Sequence, residues 1–127
     1  MANKKLKEAQ DLWARNKYLV LSKSHSYYLK IRDYLKREDA DSHGVQNFIN
    51  KTLALPESPK DVVNAYQHIW GYFKDKATSE EKNDFLMLLK AYKNSEIDKV
   101  VVLNFLKSLL DKYPNDYLSK STIFTKN

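Results

Sequence analysis

The sequence predicts an all-α protein: a compact helical bundle-like domain of about five or six helices with an irregular C-terminal tail. Only two glycines and three prolines occur in 127 residues, whereas β-sandwiches and barrels need many turn residues. Apolar residues recur at helical spacing along most of the chain, and its few prolines and capping residues divide it into segments of helix length. Since we find no repeat or long linker, we expect a single domain over residues 1–127.

The first segment, residues 4–37, contains neither proline nor glycine. Six apolar residues fall within about 40° of Trp13 on a helical wheel: Leu6, Ala9, Val20, Tyr27, Ile31 and Leu35. This pattern predicts one long helix, or two nearly collinear helices broken near residues 22–24. Lys17 also lies about 40° from Trp13, so its ammonium either reaches solvent along the helix surface or faces the core.

Two helix starts follow. The polar residues 38–44 form a connection, and Asp41 or Ser42 is expected to cap a short helix over residues 45–53 that ends before Pro56. Ser58 followed by Pro59 is a helix start, because proline suits the first helical position. We expect that helix to reach about Lys76.

The second half of the chain is divided in the same way. Thr78 and Glu81 form a capping box at the start of a helix that we expect to direct five side chains inward: Phe85, Leu86, Leu88, Leu89 and Tyr92. Residues 94–95 end this helix, and another runs from about Ile97 to Tyr113, before Pro114. The tail, residues 115–127, is expected to pack back on the core through its apolar residues.

Positive charge is concentrated at the N-terminal end. Residues 1–37 hold ten Lys or Arg against three Asp or Glu, whereas residues 38–127 hold 12 against 13, within a net charge of +6. Such asymmetry is typical of a polyanion-binding surface. The alternative is an ordinary solvated helix face, and composition favours that alternative.

Several function classes have no support in the sequence. The chain has no cysteine, which removes thiolate catalysis, zinc thiolate sites and iron–sulfur clusters. His25, His43 and His68 have no metal-ligand spacing, so we expect no metal and no cofactor. Without an apolar run of about 20 residues or a secretory signal, we expect a cytoplasmic protein that does not enter a membrane.

The helix expected from Ser58 to about Lys76 carries a stripe of polar residues and glycine. Asn64, His68, Gly71 and Asp75 have the spacing i, i+4, i+7 and i+11, which places them on one side of a helix. A glycine within a helix costs about 1 kcal/mol relative to alanine, so we expect another group to approach Gly71 closely. Periodicity leaves open whether that group belongs to a packed helix or to a ligand.

Two segments resemble motifs of the YbgA-like family, a bacterial domain family of unknown function. They are residues 12–19 (LWARNKYL) and residues 64–74 (NAYQHIWGYFK), and the tail motif YPNDYL at residues 113–118 extends the resemblance to nearly the whole chain. The positions that match are Trp13, Lys17, Asn64, His68, Gly71, Tyr72, Phe73 and Lys74. The chain departs from the family pattern where it lacks three histidines, at Asn16, within residues 22–24 and at Val62, and two prolines within residues 97–103.

The resemblance implies an all-helical domain found alone or fused to a thiouracil-desulfidase-type domain. In the fused proteins, which are linked to removal of sulfur from thiouridine in tRNA, the partner domain holds the iron–sulfur chemistry and the helical domain is thought to help bind tRNA. Stand-alone members are associated with DNA photolyase genes. No catalytic residue is established for the helical domain, so none is transferred to this chain.

These observations lead us to expect a non-enzymatic basic module that binds RNA, most directly tRNA, and is accessory to thiouridine-related tRNA metabolism. Its phosphate contacts would come from five side chains: Arg15, Lys17, Lys23, His68 and Lys74. The alternative is a protein-interaction or oligomerisation module that docks a desulfidase or photolyase partner, which requires an exposed apolar patch, for example around Gly71. A third hypothesis, an enzyme for a small thionucleoside-like substrate, requires a concave pocket near Asn64, His68 and Lys17.

Overall fold

The computed structural model describes residues 3–125, and within these residues it contains helices and no strand. The α-helices are α1 (Lys4–Lys23), α2 (His25–Tyr34), α3 (Ser42–Leu53), α4 (Pro59–Trp70), α5 (Ser79–Lys93), α6 (Lys99–Lys112) and α7 (Asp116–Ser119), followed by a 3₁₀ turn at Thr122–Phe124. The all-α prediction is confirmed, with seven α-helices in the described residues instead of five or six. Within the same residues, none of these helices has the length and apolar character needed to cross a membrane.

A single serine separates α1 from α2. Ser24 is extended, with φ −162° and ψ 111°, and its backbone N–H donates to the carbonyl of Val20 at the end of α1. Its hydroxyl accepts a hydrogen bond from the backbone N–H of Tyr27 at 3.1 Å, which caps the start of α2. One residue therefore ends the first helix and begins the second without a loop.

Because of this corner, α2 folds back along α1. The side chain of Asn3 at the start of α1 donates to the carbonyl of Glu38, beyond the end of α2, at 3.4 Å. The ring centroids of Trp13 and Tyr28 lie 5.5 Å apart, a distance that a collinear arrangement forbids at about 1.5 Å per residue. The predicted break is confirmed, and the near-collinear arrangement is wrong because an extended residue at the corner reverses the chain.

The starts of α3 and α4 are as expected. The Asp41 side chain accepts from the backbone N–H of Gly44 at 2.9 Å, and Ser58 caps α4 with Pro59 in its first turn. However, α4 ends at Trp70 and not near Lys76, because residues 71–76 form tighter turns. The N–H of Phe73 bonds the carbonyl of Trp70 at 2.8 Å, three residues back, which turns the buried Phe73 ring into the core.

The capping box at the start of α5 is confirmed in both directions. Phe85, Leu89 and Tyr92 are buried as expected, and Leu88 is half-buried. Leu86 does not point inward: it is 49% exposed, since it lies about 100° around the helix from Phe85.

Helix α1 is shared by two apolar clusters. Trp13, Val20 and Ala9 pack with Ile31 of α2 and with α3 in one cluster. The other cluster joins α1 to α4, α5, α6 and the C-terminal segment. As the helix common to both, α1 fixes the position of α2 relative to α4, which is the geometry that the candidate site depends on.

The tail packs back on the core as predicted, but it is more regular than expected. Leu118 of α7 and Ile123 of the 3₁₀ turn are both fully buried. The hydroxyl of Thr122 donates to the side-chain oxygen of Asn16 at 2.8 Å. The C-terminal segment is thus bound to α1 by a polar contact as well as by apolar packing.

Candidate functional site

A pocket of about 230 Å³ lies between α1, α2 and α4. Its lining is mainly aromatic and basic: Lys17, Tyr18, Leu21, His25, Tyr28, Arg32 and His68. Two of the residues predicted from the sequence, Lys17 and His68, therefore meet here although 51 positions separate them.

The helical spacing of the lining explains why these side chains converge. His25, Tyr28 and Arg32 lie at i, i+3 and i+7, which is one face of α2. Lys17 and Leu21 lie at i and i+4 on α1. The reversal at Ser24 turns the face of α2 toward that of α1, and the last turn of α4 adds an imidazole to the same pocket.

Tyr28 contacts two neighbouring rings, Trp13 and His25, and one cation. The imidazole of His25 stacks with it, with ring centroids 6.0 Å apart and planes at 12°. The guanidinium carbon of Arg32 lies 5.7 Å from the Tyr28 centroid, within the range of a cation–π contact. On α1, the ammonium of Lys17 lies 5.7 Å from the centroid of Tyr18. Lys17 is half-buried, so its stem follows the helix surface while its ammonium lines the pocket.

The electrostatics of the pocket favour an anion. None of the seven lining residues, all within the described chain, is acidic, and Lys17 and Arg32 carry full positive charges. Burial, followed by the hydrogen bond to Tyr72, raises the pKa of Tyr18, so this phenol stays neutral and cancels no positive charge. The carboxylate of Asp61, outside the lining, accepts from the backbone N–H of His25 at 3.3 Å.

The other predicted phosphate-binding residues lie elsewhere. Arg15 is two positions from Lys17 and so about 200° around α1; it lines two other pockets, of about 540 and 310 Å³, that also include Asp11. Lys23 donates to the backbone carbonyl of Leu55 at 3.0 Å. Lys74 is exposed in the turns after α4. The structure brings together only Lys17 and His68 of the five.

The remaining motif residues support the core around the pocket. Trp13 and Phe73 are buried, and the Tyr72 hydroxyl lies 2.7 Å from the Tyr18 hydroxyl. Asn64 is half-buried and does not belong to the pocket lining. The pocket near Lys17 and His68 that the enzymatic hypothesis requires is thus present without its expected amide.

The expected close approach to Gly71 is wrong. Gly71 is an exposed C-cap with φ −54°, and the nearest atom to a Cβ added there is the carbonyl oxygen of His68, 3.1 Å away in its own chain turn. Helix α4 ends before Asp75, so the stripe is interrupted. The large exposed apolar side chains in the described chain are Leu29, Leu53, Leu86, Met87, Val100, Val101 and Tyr117. Of these, Tyr117 stacks on Tyr72, the residue after Gly71, with ring centroids 6.3 Å apart.

Five of the seven lining residues were not predicted as site residues, and three of these five lie on α2. His25, Tyr28 and Arg32 share a face through the i, i+3, i+7 spacing, which was available in the sequence. The near-collinear interpretation of the two helices hid its meaning, because a continuing helix carries this face away from Lys17.

Comparison with known proteins gives a family and no activity. Residues 17–126 match the model of the family described as "Protein of unknown function (DUF1722)". The chain is 27% identical over 124 residues to the uncharacterized protein YbgA of Escherichia coli (strain K12), an alignment covering 90% of this chain and 71% of that protein. No solved structure gives a significant match. The chain therefore belongs to the DUF1722, or YbgA-like, family of proteins of unknown function.

Proposed function

We propose that this protein is a non-enzymatic helical module that binds RNA, most directly tRNA, and is accessory to thiouridine-related tRNA metabolism. The observation that carries the RNA part is the pocket between α1, α2 and α4, whose lining combines two cations, two imidazoles and aromatic rings with no carboxylate among its seven residues. Phosphate contacts supply most of the affinity of such a module. The thiouridine part rests on the family resemblance.

The surrounding surface supports the same proposal. Cations lie against tyrosine rings beyond the pocket too: the ammonium of Lys30 is 4.6 Å from the Tyr27 centroid. Rings with adjacent cations suit single-stranded or looped RNA, because unstacked bases stack on aromatic side chains while phosphates pair with the cations. Arg15, Lys23 and Lys74 lie outside the pocket, with Arg15 on another side of α1, so the proposed phosphate contacts of all five residues require an RNA much larger than the pocket, such as tRNA. The ammonium of Lys23 keeps two further N–H donors beside its bond to Leu55.

The test is a fluorescence-anisotropy titration of labelled bulk tRNA, with duplex DNA as competitor. With about five phosphates neutralised, log K is expected to fall against log[salt] with a slope of about −4 between about 50 and 200 mM salt. Binding should resist the DNA competitor. Absence of binding at the lower salt concentration overturns the proposal.

A matched pair of variants separates the pocket from overall charge. The double substitution Lys17→Gln and Arg32→Gln should weaken tRNA binding and make the salt slope shallower by about two. The control, Lys82→Gln with Lys90→Gln, removes the same charge from exposed positions of α5. Equal losses in the two variants would mean that only net charge matters, which contradicts an interface at the pocket.

A further inference from the structure

The pocket lining has the donors of a phosphate site concentrated in a small volume. An ammonium, a guanidinium and two imidazoles come from three helices and surround about 230 Å³. Guanidinium and ammonium groups are the side chains that proteins use to recognise phosphate. The Ser24 corner and the packing of α1 on α4 hold the backbone positions of these residues around one pocket.

The positive charge of the pocket can be compared with the negative charge of a phosphate monoester and of a phosphate diester. A phosphate monoester carries about −1.5 to −2 at neutral pH, whereas each diester of a nucleic-acid backbone carries −1. Lys17 and Arg32 supply two positive charges, and the imidazoles of His25 and His68 add N–H donors. The neutral phenol of Tyr18 leaves this balance unchanged. Two cations in one pocket match a dianionic monoester better than they match a single diester.

The size of the pocket agrees with this choice. Pockets for drug-sized ligands have volumes of about 300–1,000 Å³, so 230 Å³ suits one phosphate-bearing unit and not a run of nucleotides. A backbone diester has chain on both sides and needs an open groove. A terminal phosphate has chain on one side only, so it can enter the pocket from the side where His25, Arg32 and His68 are exposed.

We propose that this pocket binds the terminal phosphate monoester of a nucleotide, either at an end of an RNA chain or on a free mononucleotide. Lys17 and Arg32 bind the phosphate oxygens, the two imidazoles donate to them, and Leu21 and Tyr28 contact the sugar. For the RNA source, this inference rests on the proposed function. For the free mononucleotide, it stands on the pocket alone.

The test compares short single-stranded RNAs of one sequence with a 5′-phosphate, a 3′-phosphate or only hydroxyl ends. One phosphorylated RNA is expected to bind about tenfold or more tightly than the hydroxyl RNA, as charge-assisted hydrogen bonds predict. Lys17→Gln with Arg32→Gln should abolish that preference, while Lys82→Gln with Lys90→Gln should keep it. A nucleoside 5′-monophosphate should compete for the phosphorylated RNA, and the unphosphorylated nucleoside should not.

The outcomes separate this inference from the proposed function. If all three RNAs bind equally, the RNA module stands and the terminal-phosphate site is overturned. If RNA does not bind but the mononucleotide shifts amide signals of Lys17, His25, Arg32 and His68 in NMR spectra of the unmodified protein, the RNA proposal fails and the site stands. If neither ligand binds, both are overturned. The NMR measurement needs no variant, so a folding defect of the double substitution cannot decide the result.

Discussion

At the scale of single residues, the most crowded glycine lies where α2 meets the start of α3. The Tyr34 hydroxyl donates to the Asp41 side chain at 3.2 Å and accepts from the Asp41 backbone N–H at 3.1 Å. A Cβ on Gly44 would overlap the hydroxyl and ring of Tyr34. The sequence drew attention to Gly71 because helix propensity measures the cost of a glycine, but propensity carries no information about its neighbours.

Substituting alanine at the two glycines should therefore affect the free energy of unfolding very differently. Gly44→Ala should lower the free energy of unfolding by about 1–3 kcal/mol, because Tyr34 has to move and its hydrogen bonds to Asp41 are lost. Gly71→Ala should change it by less than about 1 kcal/mol, since φ is −54° and the nearest atoms belong to its own chain turn. Urea unfolding of both variants checks this, and similar effects at the two sites would contradict it.

Asn16, like Gly44, contributes to stability through contacts that its sequence position does not reveal. It is 3% exposed, and its amide donates to the carbonyl of Leu12 at 2.9 Å while its oxygen accepts from Thr122. Asn16→Ala should cost about 1–3 kcal/mol, because it leaves the buried Thr122 hydroxyl with a poorer acceptor. Thr122→Val and the double variant complete a cycle measured by thermal unfolding. Additive effects would show that the two side chains are not coupled.

At the scale of helices, one carboxylate joins the start of α5 to the end of α6. Glu81 accepts from the Thr78 backbone N–H at 2.8 Å, from the Tyr113 hydroxyl at 2.7 Å and from the Lys112 ammonium at 3.0 Å. The capping box was predictable, because Thr and Glu have the required spacing. The contacts with α6 were not, because sequence spacing does not say which residues of another helix lie beside a cap.

These contacts make stability depend on pH. The Thr78 N–H, then Tyr113 and Lys112, lower the pKa of Glu81 from 4.5 to about 2. A group with a depressed pKa in the folded state stabilises fully above its unfolded pKa, and this contribution disappears as pH falls from about 4.5 toward 2. The free energy of unfolding should therefore fall less steeply over this window in Glu81→Gln than in the unmodified protein. Chemical unfolding at several pH values measures the slopes; an unchanged slope would contradict the assignment.

The Ser24 corner also shows that sequence patterns predict where a helix ends but not the direction in which the next helix runs. Its existence was predictable, because serine is a preferred N-cap and the apolar pattern weakens nearby. Its direction was not, since a helical wheel describes faces and does not describe how one helix axis follows another. The pocket depends on that direction. Consequently Lys17 and His68 could be chosen from the sequence, whereas His25, Tyr28 and Arg32 required the fold.

At the scale of the whole molecule, a count of charges does not tell which cations are available. Three of the ten basic residues in the first 37 are in ion pairs with acids close in sequence: Lys7 with Asp11, Lys36 with Asp33 and Arg37 with Asp39. Such exposed pairs contribute little to stability, because water screens their charges. The charge asymmetry thus marks residues 1–37 as the basic part of the chain. Only the three-dimensional arrangement shows that Lys17 and Arg32 of this part line one pocket with His68.

The tail belongs to the same cooperative core as the other helices. Leu118→Ala should lower the free energy of unfolding by about 2–5 kcal/mol, because this side chain is fully buried against residues of the main cluster. Leu86→Ala makes the same chemical change where the side chain is 49% exposed, and should cost far less. Calorimetric unfolding distinguishes them. A small effect of Leu118→Ala would show that α7 unfolds independently.

The bond between Thr122 and Asn16 also sets an order of events during synthesis. Residue 16 leaves the ribosome long before residue 122, so the first helix emerges without the partner that covers its buried amide. Translation proceeds at about 5–20 residues per second. The side-chain oxygen of Asn16 therefore lacks its Thr122 partner for several seconds after α1 has been synthesised. Helix α1 can therefore complete its native hydrogen bonds only after residue 122 has been synthesised, later than helices α2 to α6.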